Sequence, residues 1–199
     1  MRKQFLLISF IIINSFLFIP NSNCFSQAFN KVQKQESVKE ITFNINKDKY
    51  SALFSVNTES RTPRITFSGK ANMVYNSIIQ DAKLEFEVFT HPKSKMAFLF
   101  INNYFDYSHG ADIFIIDNGQ MSYIGKLNIA AYNRVGKNKM DYCNILQCIS
   151  IVQTTSKTYI SFENPLVVLN PGQHDEQIIE GNKIHYTIET GKLIHHISE

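Results

Sequence analysis

The sequence predicts a mainly β, antiparallel fold of about ten strands, with one or two short helices. Short runs rich in Ile, Val, Phe, Tyr and Thr dominate the chain from Ile41 onward, and clusters of Asn, Asp, Gly, Pro and Ser separate them. Several runs alternate apolar and polar residues, as half-buried strands do. The strand spacing of roughly 8 to 15 residues is typical of a sandwich, an up-and-down barrel or a curled meander, and it leaves these three architectures open.

The first predicted strands lie in the first half of the chain. Residues 41–46 alternate strictly, and residues 50–56 follow after a short polar break, which predicts a hairpin. Residues 84–89 alternate at first, and residues 96–101 are almost continuously apolar. So short an apolar run indicates a strand that is covered on both faces.

The second half of the chain continues the strand pattern. Asn118-Gly119 lies between two apolar runs, and Asn-Gly is the strongest short hairpin signal because a type I′ turn needs positive φ at both central residues. Further apolar runs predict strands at residues 149–153, 158–162, 166–169, 183–189 and 192–198. Weak helical periodicity places the short helices at residues 72–82 and 172–180.

Residues 1–26 have the layout of a cleaved secretory signal peptide. Two basic residues open the chain, residues 5–19 are mainly apolar, and Pro20 ends this run before it reaches the length of a membrane-spanning helix. Small residues favour cleavage after Ser26. Lipid attachment at Cys24 is an alternative, but the residues before it lack the usual lipoprotein signal, so we expect Cys24 to leave with the leader.

Cleavage after Ser26 defines the rest of the chain. Residues 27–40 are polar and predict a flexible lead-in, with a frayed helix as the alternative. Residues 41–199 predict a single β-rich domain with no transmembrane segment. The mature part keeps 173 of the 199 residues, and the loss of two basic residues lowers the net charge from +3 to +1. A nearly neutral chain without a concentrated basic patch argues against a nucleic-acid partner.

The mature chain keeps two cysteines, Cys143 and Cys148. Export delivers thiols to an oxidising compartment, in which a disulfide persists. At this spacing a bridge requires residues 144–147 to form a turn, because neither a regular helix nor a regular strand brings the two side chains together. Two buried thiols are the alternative interpretation.

The last predicted hairpin brings two histidines together. With Thr190-Gly191 as a two-residue loop, His185 lies directly opposite His196, and the Cβ atoms of such a pair are about 5 Å apart. Two imidazoles at that distance can ligate one zinc or copper ion if a third ligand arrives, and His174 and Asp175 are the candidates by chain order. An exposed, solvated pair is the alternative, and a register slip of one residue would separate the rings.

A polar stretch between two apolar strands is the second candidate site. Asp106, His109 and Asp112 lie close together in it, and loops on a rigid sheet often carry function. The three side chains could hold a metal, or His109 could act as a general base that a carboxylate orients. A plain turn is the alternative, because Asp and Gly form turns for local reasons.

These observations predict an exported protein, periplasmic or secreted, that binds a protein or peptide partner, for example as an inhibitor or neutralising protein. The phosphate-loop, zinc-protease and serine-hydrolase motifs are missing from the sequence, so an enzyme is the less favoured interpretation. The alternative is a metal-dependent exported enzyme that uses some of His109, His174, His185 and His196. Apart from that metal, no cofactor is predicted.

Overall fold

Antiparallel strands make up most of the described chain. The computed structural model describes residues 27–36, 40–93, 95–105, 108–135, 139–155 and 157–198. Within these residues it contains 19 strands, two single-turn 3₁₀ helices, η1 and η2, and no α-helix. The predicted mainly β, antiparallel class is therefore confirmed.

The strands are numbered in chain order. They are β1 Gln27–Ala28, β2 Asn30–Lys31, β3 Lys34–Glu36, β4 Glu40–Ile45, β5 Asp48–Val56, β6 Pro63–Ser68, β7 Met73–Asn76, β8 Lys83–Thr90, β9 Ala97–Tyr104, β10 Ser108–Asp117, β11 Gln120–Leu127, β12 Ile129–Val135, β13 Lys139–Cys143, β14 Ile149–Gln153, β15 Thr158–Phe162, β16 Leu166–Leu169, β17 Gln177–Glu180, β18 Ile184–Glu189 and β19 Lys192–Ile197. The 3₁₀ helices are η1 Ile145–Gln147 and η2 Gly181–Lys183.

The strands form four sheets. The central sheet has the order β11-β10-β9-β8-β2, and the N-terminal sheet has the order β3-β4-β5-β6-β7. The C-terminal sheet has the order β1-β14-β15-β18-β19, and the small sheet has the order β13-β12-β16-β17. Neighbouring strands run antiparallel in all four.

Two hydrophobic cores lie on opposite faces of the central sheet. Phe98 and Phe100 of β9 pack against the C-terminal and small sheets, whereas Leu99 and Ile101 of the same strand pack against the N-terminal sheet. The first seven of the eight residues of β9 are buried, which confirms the expected strand that is covered on both faces. The described strands close no barrel, and the two cores place the central sheet between a layer on each face, in a sandwich of three layers.

Two-residue turns fix the register of two hairpins. Asn118 and Gly119 have φ of 49° and 80° between β10 and β11, and Thr190 and Gly191 have φ of 50° and 75° between β18 and β19. Both pairs thus have the positive φ values of a type I′ turn. The Asn-Gly hairpin and the last hairpin are confirmed.

Residues 27–36 join all three layers along one edge. Strand β1 pairs with β14, β2 with β8, and β3 with β4, so one short segment crosses from the C-terminal sheet to the central sheet and on to the N-terminal sheet. The structure differs here from the expected flexible lead-in. Each strand has only two or three residues, which is too few to show a period in the sequence, and polar side chains suit a sheet edge.

Neither predicted helix is formed. Met73–Asn76 is strand β7, and Gln177–Glu180 is strand β17. Asp81 has φ of 55° and Gly172 has φ of 75°, values that do not belong to a right-handed helix. Apolar residues two apart in β7 face the core, and in a run this short a period of two is easily mistaken for helical spacing.

The predicted signal peptide, residues 1–26, lies outside the described residues. Export therefore stays a prediction from the sequence. In the described part of the chain, no helix has the length and apolar character needed to cross a membrane.

We expect Phe29→Ala to destabilise the fold strongly. Phe29 is 7% exposed, and its ring lies 5.1 Å from the rings of Phe98 and His91 between centroids. Removing a buried Phe costs about 3–5 kcal/mol of unfolding free energy. Urea unfolding measures the loss, with Phe105→Ala as the matched control because Phe105 is 48% exposed. Equal stability of the two variants would show that residues 27–36 do not anchor the layers.

Candidate functional site

Over half of its length, strand β8 has no strand partner on one edge among the described residues, and we call this stretch its open edge. On one side it pairs with β9 from Lys83 to Thr90. On the other side β2 pairs only with Thr90 and Phe89, and the last backbone bond runs from Val32 N to Val88 O at 2.8 Å. The described residues place no strand alongside residues 84–86.

The backbone groups of Leu84 and Phe86 face the side away from β9, where both residues are buried, at 6% and 1% exposure. Backbone groups of an antiparallel strand alternate between its two neighbours, so the groups of Leu84 and Phe86 point to the same side as those of Val88. Lys34 Nζ donates to Phe86 O at 2.8 Å and lies 4.8 Å from the centroid of the Phe86 ring. A lysine side chain therefore occupies the position at which the N–H of a further strand would donate.

A cleft of about 410 Å³ lies along this edge, and we call it the β8 cleft. One wall is apolar and comes mainly from the N-terminal sheet, with half-buried Ile41 and Phe54 beside Leu84 and Phe86. The other wall is polar. The cleft is lined by Lys34, Ile41, Phe54, Lys83, Leu84, Glu85, Phe86, Glu87, Asn144 and Gln147.

Glu87 carries an unsatisfied oxygen in the polar wall. The residue is 7% exposed, and its Oε1 forms ion pairs with Lys31 Nζ and Lys34 Nζ, both at 3.2 Å. Its Oε2 is buried and has no hydrogen-bond partner among the residues that the structure describes. Because most buried polar atoms in folded proteins are hydrogen-bonded, a donor of a bound segment could satisfy this oxygen once it displaces the side chains that cover it.

Glu85 stands two residues away on the same face of β8. Asn144 Nδ2 donates to Glu85 Oε2, and Lys83 Nζ lies 2.8 Å from Glu85 Oε1. Asn144 Oδ1 also accepts from Leu146 N at 2.9 Å, which caps η1 and holds the turn against the cleft. The Glu85 hydrogen bond and charge raise the pKa of Lys83 above its usual value.

The two histidines of the last hairpin meet as the sequence predicts. His185 pairs with His196, and their rings stack with centroids 4.9 Å apart and planes 12° from parallel. His196 Nε2 lies 2.8 Å from Thr187 Oγ1, and the Tyr159 ring lies 5.9 Å from that of His185. Both imidazoles are half-buried on the outer face of the C-terminal sheet.

His174 does not share a strand or a sheet with this pair. It is exposed in the turn between β16 and β17, which belong to the small sheet. Among the residues that the structure describes, no group of three or more His, Cys, Asp or Glu side chains could hold a metal ion. Metal binding by His185, His196 and His174 stays a prediction.

The predicted loop of Asp106, His109 and Asp112 is largely a strand. Asp106 lies outside the described residues, and β10 begins at Ser108. The register with β9 shifts just before Ala111, where a Cβ on Gly110 would lie 1.9 Å from Leu127 O. Gly110 therefore lies in a bulge rather than a turn, and its missing side chain lets the backbone approach Leu127 O closely.

Asp112 is held by two tyrosines. Its Oδ2 accepts from Tyr75 Oη at 2.5 Å, and its Oδ1 accepts from Tyr123 Oη at 3.2 Å. Asn103 Nδ2 donates to the same Tyr75 hydroxyl. Burial and the Asp112 carboxylate raise the pKa of Tyr75. This cluster joins the central and N-terminal sheets, so its geometry fits a structural role for Asp112.

The predicted disulfide is not tested by the described side chains. Residues 144–147 do form a turn, η1 with its Asn144 cap. Cys148 is half-buried and packs against the core between the central and C-terminal sheets. The Cys143 side chain lies outside the described part of the structure, so the bridge stays a prediction.

Sequence reasoning missed the residues of the β8 cleft. In the sequence, Glu85 and Glu87 occupy the polar positions of the alternating pattern at residues 84–89, and this pattern alone assigns them no role. The apolar run of β9 could have indicated them. A strand that is covered on both faces implies that the neighbouring strands are covered too, and a carboxylate on a covered face needs hydrogen-bond or charge partners. The lysine partners come from residues 31–34, which carry no periodic pattern.

The comparisons with known proteins add no relative. No family model matches the chain, and no curated protein and no solved structure is significantly similar to it. The fold and the cleft define an antiparallel β sandwich of three layers with an open strand edge between two of its layers. Its function is therefore argued from this geometry.

We expect the protein to lose stability in mild acid because of His185. Burial and the neighbouring His196 lower the pKa of His185 from 6.5, so the unfolded chain takes up a proton more readily than the folded one. The stability that this group contributes is complete above about pH 6.5 and is lost as the pH falls toward the lowered pKa. Charged groups on the same face are Glu189 and Lys192, and Lys157 bonds Glu189 from the loop before β15.

Urea unfolding at about pH 7.5 and about pH 5 measures this loss. We expect a smaller loss on acidification in His185→Gln than in the natural protein. His174→Gln is the matched control, since His174 is exposed. This variant should lose as much stability on acidification as the natural protein does. An unchanged pH dependence in His185→Gln would contradict the assignment.

Proposed function

We propose that the protein is an exported binding protein and that it holds an extended segment of a partner protein as an added strand at the open edge of β8. The observation that carries this proposal is the unpaired stretch at residues 84–86, which lies inside a cleft. The layout of residues 1–26 supports export.

Strand addition suits the chemistry of this edge. An added strand gains affinity from main-chain hydrogen bonds and specificity from pockets for alternate side chains. Leu84 and Phe86 offer backbone groups that face the cleft, and Lys34 Nζ already satisfies Phe86 O in the way that a strand would. A flexible lysine side chain can be displaced when a backbone N–H arrives.

The walls distinguish this edge from an outer edge such as β19. An outer edge contacts a partner along one line of backbone groups. At β8 the N-terminal sheet stands on one side of the open edge and η1 stands on the other, so an added strand would contact protein on both of its faces. Contact on both faces allows the cleft to select side chains as well as backbone.

The metal-dependent enzyme is the second candidate, because the predicted cross-strand pair of His185 and His196 is formed. The Thr187 hydroxyl bonds the Nε2 of His196, so ligation through that atom requires this bond to break. Elemental analysis of untagged protein tests the idea. Less than about a tenth of an equivalent of zinc or copper would contradict it, since structural and catalytic zinc sites hold their ion tightly.

A displayed library of random seven-residue peptides tests strand addition. We expect selected peptides to protect the amides of Leu84 and Phe86 from hydrogen exchange, because these amides gain acceptors from the added strand. The amides of Glu85 and Glu87 face β9 and should not change. N-methylation at alternate peptide residues should abolish binding, whereas N-methylation at the intervening residues should not.

Gln147→Trp supplies the matched steric test. Gln147 is exposed on η1 and lines the cleft, so the larger ring should block peptide entry without disturbing the core. Gln173→Trp places the same ring on an exposed turn far from β8 in the chain and should bind peptide normally. Equal binding by the two variants, or a library that yields no binder, would overturn the proposal.

A further inference from the structure

We infer that the segment bound in the β8 cleft alternates apolar residues with neutral hydrogen-bond donors, namely Ser, Thr, Asn or Gln. This inference rests on the proposed function and adds the chemistry of the partner. It follows from the difference between the two walls of the cleft, because successive side chains of an added strand point to opposite faces.

The polar wall favours a hydrogen-bond donor at one position of the bound segment. Glu87 Oε2 is buried and finds no partner in the described part of the chain, while Oε1 is already held by two lysines. A hydroxyl or amide group of the bound segment would satisfy Oε2. A hydrogen bond to a charged group is stronger than a neutral one, so this contact would contribute more than the other polar contacts in the cleft.

The charge balance selects a neutral donor over a charged one. Two lysines and two glutamates line the cleft, and Lys31 adds a further positive charge at Glu87. A cationic side chain would gain attraction from Glu85 and Glu87 but would also approach Lys34 and Lys83, and an acidic side chain would face the buried oxygen of Glu87. Both meet like charge in a partly desolvated site, whereas a hydroxyl or amide meets none.

The apolar wall favours a hydrophobic residue at the next position of the bound segment. Phe54 and Phe86 have ring centroids 6.0 Å apart, and half-buried Ile41 continues this surface. A β-branched or aliphatic side chain would remove this surface from water. The sequence of the bound segment should therefore resemble that of a half-buried strand, in which apolar residues alternate with uncharged polar residues.

Peptides of a Val-X-Val core with Gly-Ser ends test the inference, with X as Thr, Val, Lys or Glu. Thr and Val have nearly the same shape, so the pair isolates the hydrogen-bond donor. We expect the Thr peptide to bind about tenfold more tightly than the Val peptide, and more tightly than the Lys and Glu peptides, in fluorescence polarisation.

Glu87→Gln is the protein side of a double-mutant cycle. It keeps the shape of the side chain and removes the charged acceptor, so the preference for Thr over Val should fall to about twofold or less. Glu59→Gln is the matched control, because Glu59 is exposed in a turn and does not line the cleft, and it should keep the preference. Circular dichroism and thermal unfolding verify that both variants are folded.

The outcomes separate the inference from the proposed function. If Thr and Val peptides bind equally well, or if Lys or Glu peptides bind best, the inference is overturned and strand addition stands. If no peptide of the set or of the library binds, the proposed function fails as well. Loss of the Thr preference in Glu59→Gln as well as in Glu87→Gln would also overturn the assignment to Glu87.

Discussion

The burial of β9 on both faces is the constraint on which the rest of the structure depends. A fully buried Phe, Leu or Ile side chain contributes about 1.5–3 kcal/mol relative to an exposed one, and β9 carries such residues on both sides. One sheet cannot cover both sides, so the chain supplies a sheet on each face. Three layers result, and each of them ends in an edge that must be paired, covered or left open.

The open edge of β8 follows from how the chain closes these layers. Residues 27–36 pair with one sheet after another, and the segment leaves β8 after Val32 in order to reach β4. Beyond Val32, the side chain of Lys34 reaches back to Phe86 O and Glu87. The segment that joins the layers thus also leaves a stretch of β8 unpaired between two walls, and this is the physical basis of the proposed binding site.

Local signals in the sequence predicted much of the fold. The apolar run of β9 indicated two covered faces, and Asn118-Gly119 and Thr190-Gly191 indicated hairpins whose register placed His185 opposite His196. The cleft could not be predicted in the same way. Lys34 and Glu87 lie 53 residues apart, and their contact depends on a sheet order that no local period encodes. The helical interpretation of residues 72–82 was wrong because a short strand between turns has too few residues to show its period.

Hydrogen exchange of backbone amides in the protein without peptide tests the central claim most directly, since that claim is an unpaired edge inside a folded three-layer sandwich. The account predicts that the amides of Leu84 and Phe86 exchange at least about tenfold faster than those of Glu85 and Glu87, which face β9. It also predicts strong protection throughout β9. Equal protection of all four β8 amides would mean that another part of the chain covers this edge, and it would contradict the account.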